Sequence, residues 1–169
     1  MIAAFDVQYE GTCGRVACVT FADWTAEVPS HEYVSRVNEV QGYEPGEFWR
    51  RELPCILSAL NAVEPLPKTV VIDGYVWLDA NARPGLGAHL FAALGQRIAV
   101  VGVAKTAFRG SEHAARVARP GTRRPLFVTA AGVPLDEAAA QVARMSGDHR
   151  IPTLLRRVDQ LARGAASSQ

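Results

Sequence analysis

The sequence predicts one α/β domain, a mixed sheet in which an antiparallel meander is followed by parallel strands, with helices on both faces. Three observations carry this. Three strand-like runs follow one another near the N-terminus with no helical stretch between them. Further along, three continuous apolar runs alternate with helical stretches. The 169 residues are 49% hydrophobic and only 21% charged, which suffices for one full core and argues against disorder.

The elements read as follows. Ile2 to Tyr9 is a first strand, with Gly11 as a turn. Val16 to Phe21 is a second, and Glu32 to Val40 alternates as a third. Gly42-Tyr43-Glu44-Pro45-Gly46 is a turn cluster. A helical stretch covers Glu47 to Ala62, where Pro54 either kinks the helix or opens a second one. Pro65-Leu66-Pro67 closes it. Thr69 to Ile72 is a continuous apolar run, as in a buried central strand, and ends at Asp73-Gly74. Leu86 to Leu94 is a helix stopped by Gly95. Ile98 to Val103 and Leu126 to Thr129 are further buried strands. Pro134 to Arg144 and Ile151 to Arg163 are the last helices. We expect a single domain over 1–164 and a disordered tail over 165–169.

Several classes are set aside by composition. No apolar run reaches the roughly 18 residues of a membrane helix, so no membrane association is expected. The start, Met1-Ile2-Ala3-Ala4-Phe5-Asp6, has no basic region and meets an acid at once, so no signal peptide is expected. Cys13, Cys18 and Cys55 are odd in number and form no CxxC pair, which suits free thiols in the cytoplasm. No obligate protein partner is evident. Net charge is only +1, but residues 1–84 hold 6 basic and 12 acidic side chains, and residues 85–169 hold 12 and 5. Of the 18 basic residues, 16 are Arg, whose planar fork suits phosphate.

Asp6 sits in the first strand between Phe5 and Val7. Asp73 ends a strand that is otherwise Val-Val-Ile, where ligands of open α/β sheets gather. Glu52 lies in the helical stretch feeding that strand. A carboxylate in an apolar strand is costly unless paired or bound to a cation. Two such strands point to a hard divalent metal on oxygen ligands, the layout of metal-assisted phosphodiester cleavage. On the residues alone, solvent-facing acids are the alternative. Lys105, one of two lysines, follows a buried strand and reads as a point charge for phosphate or a solvated lysine. Tyr43 reads as a stacking face for a base or a turn tyrosine. Trp24, Trp49 and Trp77 read as packing residues.

Tyr43-Glu44-Pro45-Gly46 followed by Arg51-Glu52 resembles the Tyr-Ile-Pro-Gly and Phe-Arg-Glu segment of the endonuclease V family at the same spacing. Val71-Ile72-Asp73-Gly74, Gly102-Val103-Ala104-Lys105, Pro125-Leu126-Phe127-Val128-Thr129, Leu135-Asp136-Glu137-Ala138 and Arg150-Ile151-Pro152 with Asp159-Gln160-Leu161-Ala162 are similar to its later motifs, in order. The resemblance implies a ribonuclease H-like fold and an endonuclease that cuts DNA or RNA near deaminated bases such as inosine, with Mg²⁺ (Mn²⁺ able to substitute). It implies Asp6, Glu52 and Asp73 as metal ligands and Lys105 beside the scissile phosphate. It places Tyr43 in a wedge between strands, and Gly74, Tyr75 and His89 on the substrate side, His89 being otherwise a core histidine.

The sequence departs from the family in four places. The family reads Asp-Gly-His-Gly where this chain has Asp73-Gly74-Tyr75-Val76, and an apolar residue where it has Glu44. It has a late Gly-His-Arg where this chain has Ala131-Gly132. It also has an N-terminal helical segment ahead of the first strand, so the chain reads as a divergent, N-terminally short member. His149 reads as a surface histidine. These departures lead us to expect weak preference for inosine. They also support an alternative, a catalytically weak member serving as a nucleic-acid or protein binding module.

Overall fold

The structure, a computed structural model, describes residues 1–38 and 48–165. The turn cluster with Tyr43 and Glu44, the end of the third predicted strand and residues 166–169 of the tail lie outside the described residues. The elements are β1 (Ile2–Glu10), β2 (Cys13–Phe21), β3 (His31–Val37), α1 (Phe48–Leu60), β4 (Thr69–Asp73), α2 (Leu86–Ala93), β5 (Ala99–Ala104), β6 (Ala115–Val117), β7 (Leu126–Ala131), α3 (Leu135–Arg144) and α4 (Thr153–Ala162). Pro54 stays inside a single α1, on its exposed side. No helix among the described residues is long and apolar enough to cross a membrane.

The strands form one sheet in the order β3-β2-β1-β4-β5-β7-β6. β1, β2 and β3 make the expected meander. β1, β4 and β5 run parallel. The parallel part stops there, because β7 runs antiparallel to β5 and forms a hairpin with β6. Three residues, Ala-Arg-Val, are too few to show a period, so β6 is invisible in the sequence.

Alternation along the buried strands supplies both faces. Phe5, Val16, Val70 and Ile72 pack against Ile56 and Leu60 of α1 and Leu90 of α2. Ala4, Val19, Val71 and Val101 pack against Val142 of α3 and Leu154, Val158 and Leu161 of α4. Arg157 on α4 donates from Nε and Nη2 to Glu32 Oε1 and Oε2 at 2.6 and 2.9 Å. This bidentate pair ties the last helix to the edge of the meander.

After β4 the chain passes tightly over β5. Gly74 has φ +138°, a region open to glycine. Its N–H donates to Val103 O at 3.2 Å, and Val76 N–H donates to Thr129 Oγ1 at 2.8 Å. A Cβ on Gly102 would lie 2.6 Å from Gly74 O, 2.9 Å from Thr129 Oγ1 and 3.0 Å from Val76 N. The two nearest backbone atoms cannot swing aside, so Gly102 is what lets residues 74–76 lie on β5. Gly102→Ala is therefore expected to cost about 2 kcal/mol of stability, read as a Tm lower by roughly 4–8 °C. An unchanged Tm would show that the crossing relaxes freely.

Candidate active site

Parallel pairing sets Phe5 opposite Ile72, so Asp6 and Asp73 come next on adjacent strands. Both have the parity of Ala4 and Val71, which face α3 and α4. Glu52 reaches them from α1, in the opposite layer. All three carboxylates line one cavity of about 10 Å³, about the room for a single water. Glu52 is buried, Asp6 half-buried and Asp73 exposed. Burial, then the charges of Asp6 and Asp73, push the Glu52 carboxyl up to about 8. Burial, then the charge of Asp73, push Asp6 up to about 6, against a hydrogen bond from Gln8.

Lys105 follows β5 and donates from Nζ to Asp73 Oδ2 at 2.7 Å. Burial opposes its charge, but the hydrogen bond and charge of Asp73, with Asp159 and Asp6 behind, leave its pKa raised. Asp159 on α4 lies 3.8 Å from Lys105 Nζ and shares a second cavity with Asp6, Asp73 and Lys105. Sequence reading missed it, because Asp159 with Arg163, 2.9 Å away, has the spacing of an ordinary i,i+4 surface pair. It also missed Arg150, whose Nη2 donates to Lys105 O and, at 2.9 Å, to Pro125 O.

Two further residues fix Glu52. Arg51, its neighbour on α1, lies 3.7 Å over the Tyr9 ring and donates to Gly11 O at 3.0 Å. This fastens the start of α1 to the β1–β2 hairpin.

Beside the acids is a cleft of about 200 Å³ lined in part by Trp49, Glu52, Gly74, Tyr75, Leu78 and Pro84. Tyr75 lies along its wall. The Tyr75 hydroxyl donates to Thr106 O at 2.8 Å and accepts from Phe108 N–H at 3.2 Å, which draws it toward the loop after Lys105. Val76 is fully buried. His89 is half-buried and stacks on Trp49, ring centroids 3.7 Å apart; it is not among the residues lining the cleft. Trp77 donates from Nε1 to Ala130 O at 3.0 Å and packs. His149 is exposed.

Among the described residues, no three carboxylate, imidazole or thiol groups are gathered closely enough, as they stand, to grip a metal ion. Lys105 Nζ lies against Asp73 instead. The donor set nonetheless fits a hard divalent cation, since it offers oxygen ligands only. A cation held by Asp6, Glu52 and Asp73 would relieve their mutual repulsion.

Burial of Glu52, together with that repulsion, has a pH signature in the protein without added metal. Glu52 binds its proton more tightly folded, at about 8, than at the ordinary 4.5. Between those values the folded chain holds a proton that the unfolded chain has released, so stability falls as pH rises through the window. Thermal melts in chelator should show this decline from pH 5 to 8, with Glu52→Gln melting higher at pH 8 and with a flatter profile. Parallel profiles would show that burial and neighbouring carboxylates do not raise the Glu52 pKa.

With this geometry in hand, comparison with known proteins is specific. The Endonuclease V family model matches residues 1–160. Endonuclease V of Streptomyces avermitilis is 32% identical over 97% of this chain and 80% of its own length, and that of Streptomyces coelicolor 31% over 97% and 78%. The crystal structure of the S. avermitilis protein matches with a TM-score of 0.74 at 26% identity, covering 96% of this chain and 79% of that one. Endonuclease V of Ciona intestinalis, in complex with a 24mer DNA containing an inosine followed by a ribo-adenosine, has the same fold, with a TM-score of 0.78 at 19% identity over 96% and 84%. The chain belongs to the endonuclease V family of nucleases.

Proposed function

We propose that the chain is a metal-dependent endonuclease that cleaves a phosphodiester bond in DNA or RNA, with Asp6, Glu52 and Asp73 holding Mg²⁺, which Mn²⁺ can replace. The observation that carries this reading is the meeting of two carboxylates from adjacent strands, Asp6 and Asp73, with Glu52 from α1 at one cavity, and with Lys105 against Asp73. A cation held there lowers the pKa of a water and offsets charge on the leaving oxygen.

The chain's own residues supply the rest. Asp6 and Asp73 are held by the sheet and Glu52 by the Arg51–Tyr9 contact, so their positions are set before substrate arrives. Lys105 keeps its proton. On binding, its ammonium exchanges Asp73 for a phosphate oxygen, which frees the Asp73 carboxylate as a ligand. Trp49, Tyr75 and Pro84 give the neighbouring cleft flat, apolar walls against which a base can stack. Free Cys13, Cys18 and Cys55 suit a reducing cytoplasm.

Discrimination among bases is expected to be modest, because these walls present shape more than side-chain hydrogen bonds. Labelled oligonucleotides of DNA and RNA, differing only at one inosine and incubated with Mg²⁺ or Mn²⁺, test both points. Wild type should cut, and Asp73→Asn should lose at least about a hundredfold in rate while keeping its circular dichroism and Tm. Full activity in that variant would remove Asp73 from the site. We expect an inosine preference below about a hundredfold, roughly 2.7 kcal/mol in transition-state binding; a larger ratio would show a selective pocket.

A further inference from the structure

We infer that the β6–β7 hairpin, through Arg116, Arg123 and Arg124, is a phosphate track that holds the nucleic-acid strand beyond Lys105. This rests on the nuclease reading of the site and adds where the substrate backbone runs. From Lys105 to Pro125 the chain carries six basic residues and one acid, Glu112. One of the six, Arg119, is buried and used up. Its guanidinium donates to the carbonyls of Ala143, Met145 and Gly147 at 2.9, 2.6 and 2.8 Å, which closes the end of α3. Arg116, Arg123 and Arg124 are exposed. Among the described residues, none of these three has an acidic partner. Arg116 instead lies 6.0 Å over the Phe127 ring.

Placement separates this cluster from an ordinary solvated surface. Ala104 pairs with Phe127 across β5 and β7, and Val117 with Leu126 across β6 and β7. Lys105 and the hairpin turn therefore leave the sheet at the same edge. Arg150 Nη2 reaches the carbonyls of both Lys105 and Pro125, so Arg124 is one residue from a backbone that shares its anchor with Lys105. The turn is braced, with Arg124 N–H donating to Thr122 Oγ1 at 3.0 Å. Strands sit about 4.8 Å apart, so β7, from which the turn springs, is two strands and about 10 Å from β4 and Asp73. That is a few nucleotides along a backbone carrying one charge per 3.4 Å or so. Forked guanidinium groups without carboxylate partners, next to a lysine that faces the reacting phosphate, match that spacing and charge.

The test uses the full chain and a fluorescent single-stranded DNA 20-mer, with anisotropy read from 50 to 300 mM KCl in chelator. Two phosphate contacts are expected to be lost in Arg123→Ala/Arg124→Ala. Affinity at 50 mM should fall about tenfold, and the slope of log K against log salt should become shallower by about 1.4. In cleavage assays KM should rise with kcat unchanged, and Arg123→Lys/Arg124→Lys should restore most of the slope. A double alanine variant that binds with the wild-type slope, while wild type cuts, overturns the track and leaves the nuclease reading standing. Wild-type binding that depends on these arginines without any cleavage keeps the track and overturns the nuclease reading. No binding by wild type overturns the track, and if cleavage in Mg²⁺ is absent as well it overturns the nuclease reading too.

Discussion

Parallel pairing of β1 with β4 is the constraint on which the site depends. The register that sets Phe5 opposite Ile72 makes Asp6 and Asp73 neighbours, and one residue of slip would send them to opposite faces. The register is held by what lies on either side of the sheet. Phe5 and Ile72 are buried against α1 and α2, while Ala4 and Val71 are buried against α3 and α4. Both faces of both strands are therefore committed. The acids come where that double burial ends, and Asp73 is already exposed.

Much of this was legible because it rests on local pattern. Val-Val-Ile-Asp-Gly reads as a buried strand that ends in an acid, and it is one. The meander and the helices follow from periodicity and from glycine and proline punctuation. Where the reading fell short, the determinants are non-local. β6 has three residues and exists because β7 is there to pair with it. The antiparallel sense of β7 is set by that hairpin and leaves no trace in its own apolar run. Asp159 looks like half of a helix-surface pair until α4 is laid on the sheet. Arg150 looks like a residue that precedes a helix until its guanidinium is seen at the Lys105 carbonyl.

Tyr75 shows the same limit. A bulky residue in place of histidine suggests an obstructed pocket if only size is considered. In the structure its hydroxyl is tied to Thr106 O and Phe108 N–H, so the ring lies along the wall of the cleft. What decides its effect is a partner 31 residues away in sequence, on the loop that also follows Lys105. The same contact links the cleft to that loop, so the cleft wall and the position of the lysine are not independent.

Net charge conceals how the molecule is organised. The acids at issue, Asp6, Glu52 and Asp73, all come from the acidic first half of the chain, and Lys105 with the arginines of the β6–β7 hairpin comes from the basic second half. In the sheet order, β1 and β4 stand beside β5, β7 and β6, so within the sheet the strands that carry Asp6 and Asp73 adjoin those that carry the basic residues. Burial first, and then the charges of the neighbouring carboxylates, raise the pKa values of Asp6 and Glu52. Exposed arginines without carboxylate partners forgo little stability, since an exposed ion pair contributes only about 0–1 kcal/mol. Apart from Lys105 against Asp73, neither cluster is compensated by an ion-pair partner among the described residues, and on the proposed nuclease reading a divalent cation would offset the acids and a phosphate backbone the arginines.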